Sequence, residues 1–327
     1  MNPTVYFAVM AAGLLLTALV HSIMLGRMNR KRCVAWITLP IGIVLGFVLA
    51  KAVYLLVRVD AFSGRGLSAV ASMNPEEFSF AGGCIGFVFA CILASGISGE
   101  DWRISLDAYA VPACLMVAVA RASEVFLGNV GIGDYLENPD LCFFPIAILN
   151  QEYQEWYLAV CMLEAFAALF CMILSLVMDR NDSLIPGLHF ERAVYRLCAF
   201  QIFFELIRAV SIVFSFIHTE QVICILCITL FIARGCISIH RDPDGRKSRK
   251  DFMQLIMLAV IIGVNIFLQF ALDKPYLYID PLPISEGIRF FLEDHSAAIC
   301  YSLIGITIVM LLVMERVNAS RRIRQKN

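Results

Sequence analysis

The chain has 327 residues, of which 60% are hydrophobic and 16% charged, with a formal net charge of -1. Charged residues in soluble proteins run near a quarter, and the mean hydropathy here is +0.78, which excludes a pair of soluble domains. The composition points to an all-α, polytopic membrane helical bundle. Near-zero net charge says nothing about partners, because in a membrane protein the position of each charge carries the information. Most of the 12 cysteines, among them Cys91, Cys114, Cys161, Cys171, Cys224 and Cys300, fall inside apolar segments without ligand spacing to histidine. They read as small core residues, and neither a metal nor a cofactor is expected.

A spanning helix needs about 20 apolar residues. That rule predicts about nine spans, near residues 5–25, 34–57, 80–97, 106–127, 156–178, 194–217, 219–236, 252–272 and 296–314. No basic segment precedes the first, so it is expected to be a retained helix and not a cleaved signal. Lys and Arg gather after the first span (Arg27, Arg30, Lys31, Arg32), the third (Arg103), the fifth (Arg180, Arg192) and the seventh (Arg241, Arg246, Lys247, Arg249, Lys250). The tail adds Arg316, Arg321, Arg322, Arg324 and Lys326. The positive-inside bias then places the N-terminus outside and the C-terminus in the cytoplasm. Segments 58–79, 128–155 and 273–295 face outward and are long enough to fold as arms or a small cap over the surface. No internal repeat supports an inverted-repeat transporter.

Polar residues inside the spans are costly and stay where they have a partner or a use. Lys51 and Tyr54 share a face near the outer end of the second span, a pattern that suits either a ligand or a snorkelling lysine with a belt tyrosine. Gly82 and Gly83 open the third span and allow close helix packing or the approach of a ligand. Arg121 and Glu124 stand three apart on one helical face at the end of the fourth. They form either an anion site or an interfacial ion pair. Gly128, Gly131 and Gly133 follow, where the backbone can turn sharply or approach another group closely. Glu164 lies about two turns below Trp156 in the fifth span. Gln201, Glu205 and Arg208 fall on one stripe of the sixth by four-then-three spacing, and His218-Thr219-Glu220-Gln221 caps the following hairpin. Five successive helices thus place a polar or glycine feature in the outer half of the bilayer. The clustering predicts a polar cavity open to the outer leaflet, with cations suited to a phospholipid phosphate.

Several local patterns resemble, in order, those of the prolipoprotein diacylglyceryl transferases of bacterial membranes. GFVLAKAVY resembles that family's G-x-x-x-G-A-R-L-x-Y, with Lys51 for the arginine and Tyr54 kept. FSFAGGCIG resembles S-F-H-G-G-L-x-G, with Ala81 at the histidine. The stretch from Asp107 to Tyr135 resembles the fourth helix and its G-R-x-G-N loop, with Arg121 kept and Glu124 in place of the asparagine. LEAF at 163–166 resembles L-Y-E-A, and QIFFELIR with the later HTEQV resembles R-F-x-x-E-F-F-R and G-Q, with Gln201 at the first arginine. The resemblance covers residues 1–236, a seven-helix core with arms at 58–79 and 128–155. Residues 237–327 are then an addition: a basic cytoplasmic loop, two further helices and a basic tail.

The resemblance implies transfer of a diacylglyceryl group from phosphatidylglycerol to the lipobox cysteine of a prolipoprotein signal peptide, in the bacterial inner membrane. Nucleic acid has no part in it. The reaction needs cations for the departing phosphate and a base for a thiol whose ordinary pKa is about 8.5. Arg121 and Arg208 are expected to serve the phosphate and Glu124 to act as base. Lys51, Tyr54, Gly82, Gly83, Glu164, Gln201 and Glu205 are expected to line the lipid site. Two other readings are open: a non-catalytic relative that binds a phospholipid or lipidated protein, and a transporter of a small anion or lipid.

Overall fold

The computed structural model describes residues 2–136, 138–150, 154–178, 185–209, 211–214, 217–240, 249–273, 286 and 295–324. Its helices are α1 (Pro3–Arg27), α2 (Cys33–Val57), α3 (Val59–Arg65), α4 (Leu67–Ala71), α5 (Phe80–Ser98), α6 (Trp102–Ser123), α7 (Val160–Met178), α8 (Leu188–Phe204), α9 (Thr219–His240), α10 (Arg249–Asp273) and α11 (Ser296–Arg324). Seven of them, α1, α2, α5, α6, α7, α9 and α11, are long and apolar enough to cross a membrane. The molecule is a helical membrane bundle. Helix α8 has 17 residues, and α10 has its apolar stretch at Met253–Leu268. Of the outward segment expected at 273–295, only its ends and residue 286 are among the described residues, as are only the edges of the basic loop around 241–248.

Helix ends leave backbone groups without partners, and the sequence supplies caps where the apolar runs start. Ser79 accepts from Gly82 N at 3.1 Å to open α5, and Gly99 closes it in a left-handed turn with φ of 68°. Asp101 does the same for α6, accepting from Arg103 N at 2.9 Å. Helix α6 is the most enclosed of the spans, with α1, α5, α7 and α8 all packed against it. Helices α2 and α5 lie backbone to backbone. A Cβ built on Gly82 would meet Leu49 O at 2.7 Å, and one on Gly86 would meet Gly46 Cα at 2.5 Å. Small residues at such a seam replace the hydrophobic drive that lipid cannot supply between helices.

The arm at 58–79 folds as α3, α4 and a 3-10 turn at Pro75–Glu77. The segment after α6 folds as 3-10 turns and a hairpin of β1 (Ala147–Asn150) and β2 (Glu155–Leu158), in antiparallel register Ala147↔Leu158. Trp156, expected to start the fifth span, therefore sits in β2, and the helix begins at Val160.

The sixth span departs most from expectation. A helix over 194–217 was predicted, but α8 runs from Leu188 to Phe204 and the chain then turns. Its start is fixed from another helix, since Asp107 of α6 accepts from Gly187 N at 2.6 Å and Phe190 N at 3.0 Å. Its early end follows from competition for backbone groups. Ala209 N bonds to Ile132 O at 3.0 Å, in the glycine loop after α6, and Thr219 N bonds to Ile212 O at 3.0 Å. Buried N–H groups need a partner, and these find one outside the helix. Gln201, Glu205 and Arg208 are thus not one helical stripe: Gln201 is helical, Glu205 is the C-cap, and Arg208 lies beyond.

Helix α11 is tied into the core by ion pairs. Glu315 pairs with Arg192 and, at 3.0 Å, with Arg196 of α8, while Arg322 reaches Glu191 at 2.6 Å.

Candidate functional site

At one end of the bundle, the last turn of α6, the first turns of α7 and α9, and the end of α8 bring their charged residues together. Arg121 is 2% exposed. Its Nη1 donates to Glu124 Oε1 at 2.7 Å, and its Nη2 to Glu220 Oε2 at 3.3 Å. Its Nε lies 2.9 Å from Glu164 Oε2 as an ion pair, out of line for a hydrogen bond. The guanidinium carbon sits 3.7 Å from the centre of the Phe80 ring, a cation–π stack whose value grows on desolvation.

Arg208 arrives from the opposite side. Its Nη1 donates to Val130 O at 3.0 Å and its Nη2 to Glu124 Oε2 at 2.9 Å. The same Nη2 also bonds to Glu164 Oε2. Arg121, Glu124, Arg208 and Glu164 therefore form a closed ring in which each carboxylate bridges both guanidiniums. Gln201 Nε2 donates to Glu164 Oε1 at 2.9 Å and lies 3.4 Å from Glu205 Oε2. Arg208 Nε, by contrast, is a buried donor without a hydrogen-bond partner.

The glycine loop makes the ring possible. Gly128 has φ of 76°. A Cβ on Gly133 would strike Ile207 O, and one on Gly131 would meet Cys161 Cβ at 2.7 Å. Only glycine lets the loop press against the start of α7 and the chain beyond α8, which presents Val130 O to Arg208.

Glu220, in the first turn of α9, closes the other side. Its Oε1 accepts from Ala81 N at 3.2 Å and Ser79 Oγ at 3.4 Å, so the start of α5 is stitched to Arg121 through one carboxylate. Ser79 also joins the arm, where a second, smaller polar group stands. Lys51 Nζ bonds Glu77 Oε2 at 2.8 Å and Ser72 O at 2.8 Å, and lies 4.8 Å from the Phe78 ring and 5.4 Å from the Tyr54 ring. Arg65 Nη1 adds a bond to Glu77 Oε1 at 2.9 Å. Burial pushes the Glu77 carboxyl up, but hydrogen bonds from Lys51 and Arg65 outweigh it and hold the pKa at about 2.

Of the residues singled out from sequence, Arg121, Glu124, Glu164, Gln201, Glu205 and Arg208 come together. Lys51 and Tyr54 belong to the arm's polar group, and Gly82 sits in the α2–α5 seam. Gly83 lies beside that seam, with 3.9 Å of room to Ala50 Cβ. Sequence reasoning gave no site role to Glu220, which it read as part of a hairpin cap, nor to Phe80, Ser79 and Glu77. Glu220 carried a signal, an acid opening an otherwise apolar helix, but it reads equally as an ordinary first-turn acid.

The charge balance also differs from the cationic cavity expected. Two guanidiniums, Arg121 and Arg208, meet four buried carboxylates, Glu124, Glu164, Glu205 and Glu220. The ring alone is neutral, and Glu205 and Glu220 add the excess. In comparisons with known proteins, no family model and no curated sequence matched the chain.

Proposed function

We propose that this chain is a membrane transferase of the prolipoprotein diacylglyceryl transferase kind, with about nine spans and its ring site facing the outer leaflet. The single observation that carries the reading is the ring. Two arginines far apart in sequence converge on one buried position, where an arrangement pointing to opposite faces would have removed the idea. The unpartnered Arg208 Nε gives a phosphate oxygen a donor without first breaking a bond. Phosphatidylglycerol docks with its phosphate against Arg208 and Arg121, displacing a carboxylate oxygen from the ring. The lipobox sulfur attacks the glyceryl carbon, the carbon–oxygen bond to phosphate breaks, and glycerol phosphate leaves with the electron pair. Guanidiniums held in a dry site stabilise that developing charge more than water does.

A second reading rests on the charge balance. With every carboxylate of the ring already engaged, a non-catalytic lipid- or lipoprotein-binding relative fits the closed geometry as it stands. The excess of carboxylates argues against a carrier of small anions. One experiment separates these. Full-length protein in phosphatidylglycerol vesicles is incubated with a lipobox peptide, and the peptide mass is read. The transferase reading expects a gain of one diacylglyceryl unit, abolished by Arg121→Ala. An unmodified peptide with wild-type protein rejects it, and normal turnover by Arg121→Ala rejects the role of that residue.

A further inference from the structure

The hairpin beyond α8 holds polar side chains that the ring does not use. Ser211 Oγ lies 2.7 Å from His218 Nδ1, and Glu205 Oε1 stands 3.8 Å from the same nitrogen. The ring position is fixed by backbone as well. His218 pairs with Val213 in the short antiparallel ladder Val213–Phe214 with Ile217–His218, and the next residue, Thr219, bonds to Ile212 O. The imidazole is therefore tied to the site through Glu205, and two residues along the chain Glu220 reaches Arg121.

A carboxylate beside one imidazole nitrogen favours the proton there and leaves the other nitrogen with a bare lone pair. Nδ1 faces Glu205 and Ser211, so Nε2 is the basic edge. The side chain keeps 17% of its surface open. The carboxylates of the ring are differently placed. Glu124 gives one oxygen to Arg121 and the other to Arg208, and Glu164 gives its oxygens to Gln201 and the two arginines. The charged group facing His218 is Glu205, on which Arg208 and Arg121 act in turn.

We infer that His218 Nε2 is the proton acceptor for the attacking thiol, with Glu205 and Ser211 as positioning residues. The inference rests on the transferase reading above and moves the role of base away from Glu124. The S–H proton passes to Nε2 as the sulfur electron pair forms the carbon–sulfur bond. The carbon–oxygen bond to phosphate breaks at the same centre, and the imidazolium returns its proton to the departing glycerol phosphate. Glu205 balances the imidazolium while it lasts.

The test uses the full chain in phosphatidylglycerol vesicles and two acceptor peptides, one with the lipobox cysteine and one with selenocysteine in its place. A selenol is ionised at neutral pH and needs no base. His218→Asn and His218→Gln are expected to slow transfer to the thiol by about 10²–10⁴-fold. Transfer to the selenocysteine peptide stays near the wild-type rate. Loss of both acceptors alike, or thiol transfer at the wild-type rate, overturns the role of His218 alone. Wild-type protein that modifies neither peptide overturns the transferase reading and this role with it.

Discussion

Arg208→Met is the sharpest perturbation the ring offers. It takes a guanidinium from Glu124 and Glu164 and a donor from Val130 O, leaving Arg121 as the single guanidinium facing four carboxylates. Removing one partner of a buried ion pair costs about 3–5 kcal/mol, because the charge left behind has lost its compensation. Glu164→Leu alone is expected to cost a similar amount, since it withdraws an acceptor from Arg208 and Gln201 and an ion-pair partner from Arg121. The double variant removes one charge of each sign and leaves the Arg121–Glu124 pair intact. Its cost is expected to fall short of the sum, with a coupling of about 1–3 kcal/mol. Reversible unfolding in lipid–detergent micelles titrated with dodecyl sulfate measures all three. A cost under about 1 kcal/mol for Arg208→Met, or additivity within about 0.5 kcal/mol, refutes a ring held together as described.

Other expectations concern the arm, the seam and the last helix. Glu77 has its pKa depressed to about 2 against an ordinary 4.5. Its contribution to docking the arm is therefore complete above about pH 5 and lost as pH falls toward 2. Limited proteolysis of the arm against pH follows this, and Glu77→Gln is expected to flatten the profile. Gly86→Ala drives a methyl into the Gly46 backbone at 2.5 Å, whereas Gly83→Ala meets nothing closer than 3.9 Å. The first is expected to cost at least about 1–3 kcal/mol and the second to be near neutral in the same unfolding assay. Glu315→Leu withdraws the shared acceptor of Arg192 and Arg196 and is expected to loosen α11, read as faster amide exchange along that helix with the ring site unchanged.

The bundle was legible because a membrane span announces itself by length and apolarity, and seven of the runs read that way fold as helices of spanning length. The intramembrane charges were legible for the same reason: in lipid a charge has to have a partner, and Arg121, Glu124, Glu164 and Arg208 find one another. What the sequence hid depends on tertiary competition. Nothing in AFQIFFELIRAVSIVFSFI marks a helix end, since neither glycine nor proline interrupts it. The end comes from Ile132 O taking the N–H of Ala209. Lys51 and Tyr54 were expected at the lipid site from the family resemblance, and their pairing with Glu77 of the arm is set by tertiary folding that spacing does not carry. The sign of the site was hidden as well. Two arginines on separate spans suggest a cationic cavity, and only packing reveals that Glu220, 99 residues from Arg121, joins them.

The central claim is that Arg121 and Arg208 receive a phospholipid phosphate at the ring. Solid-state nuclear magnetic resonance tests it most directly, by dipolar recoupling between the phosphorus of phosphatidylglycerol and nitrogen-15 in arginine side chains of the reconstituted protein. The account predicts a close phosphorus–guanidinium contact that weakens in Arg208→Met and is lost when Arg121→Ala is added. A spectrum without such a contact, or with one that survives both Arg208→Met and Arg121→Ala, contradicts it.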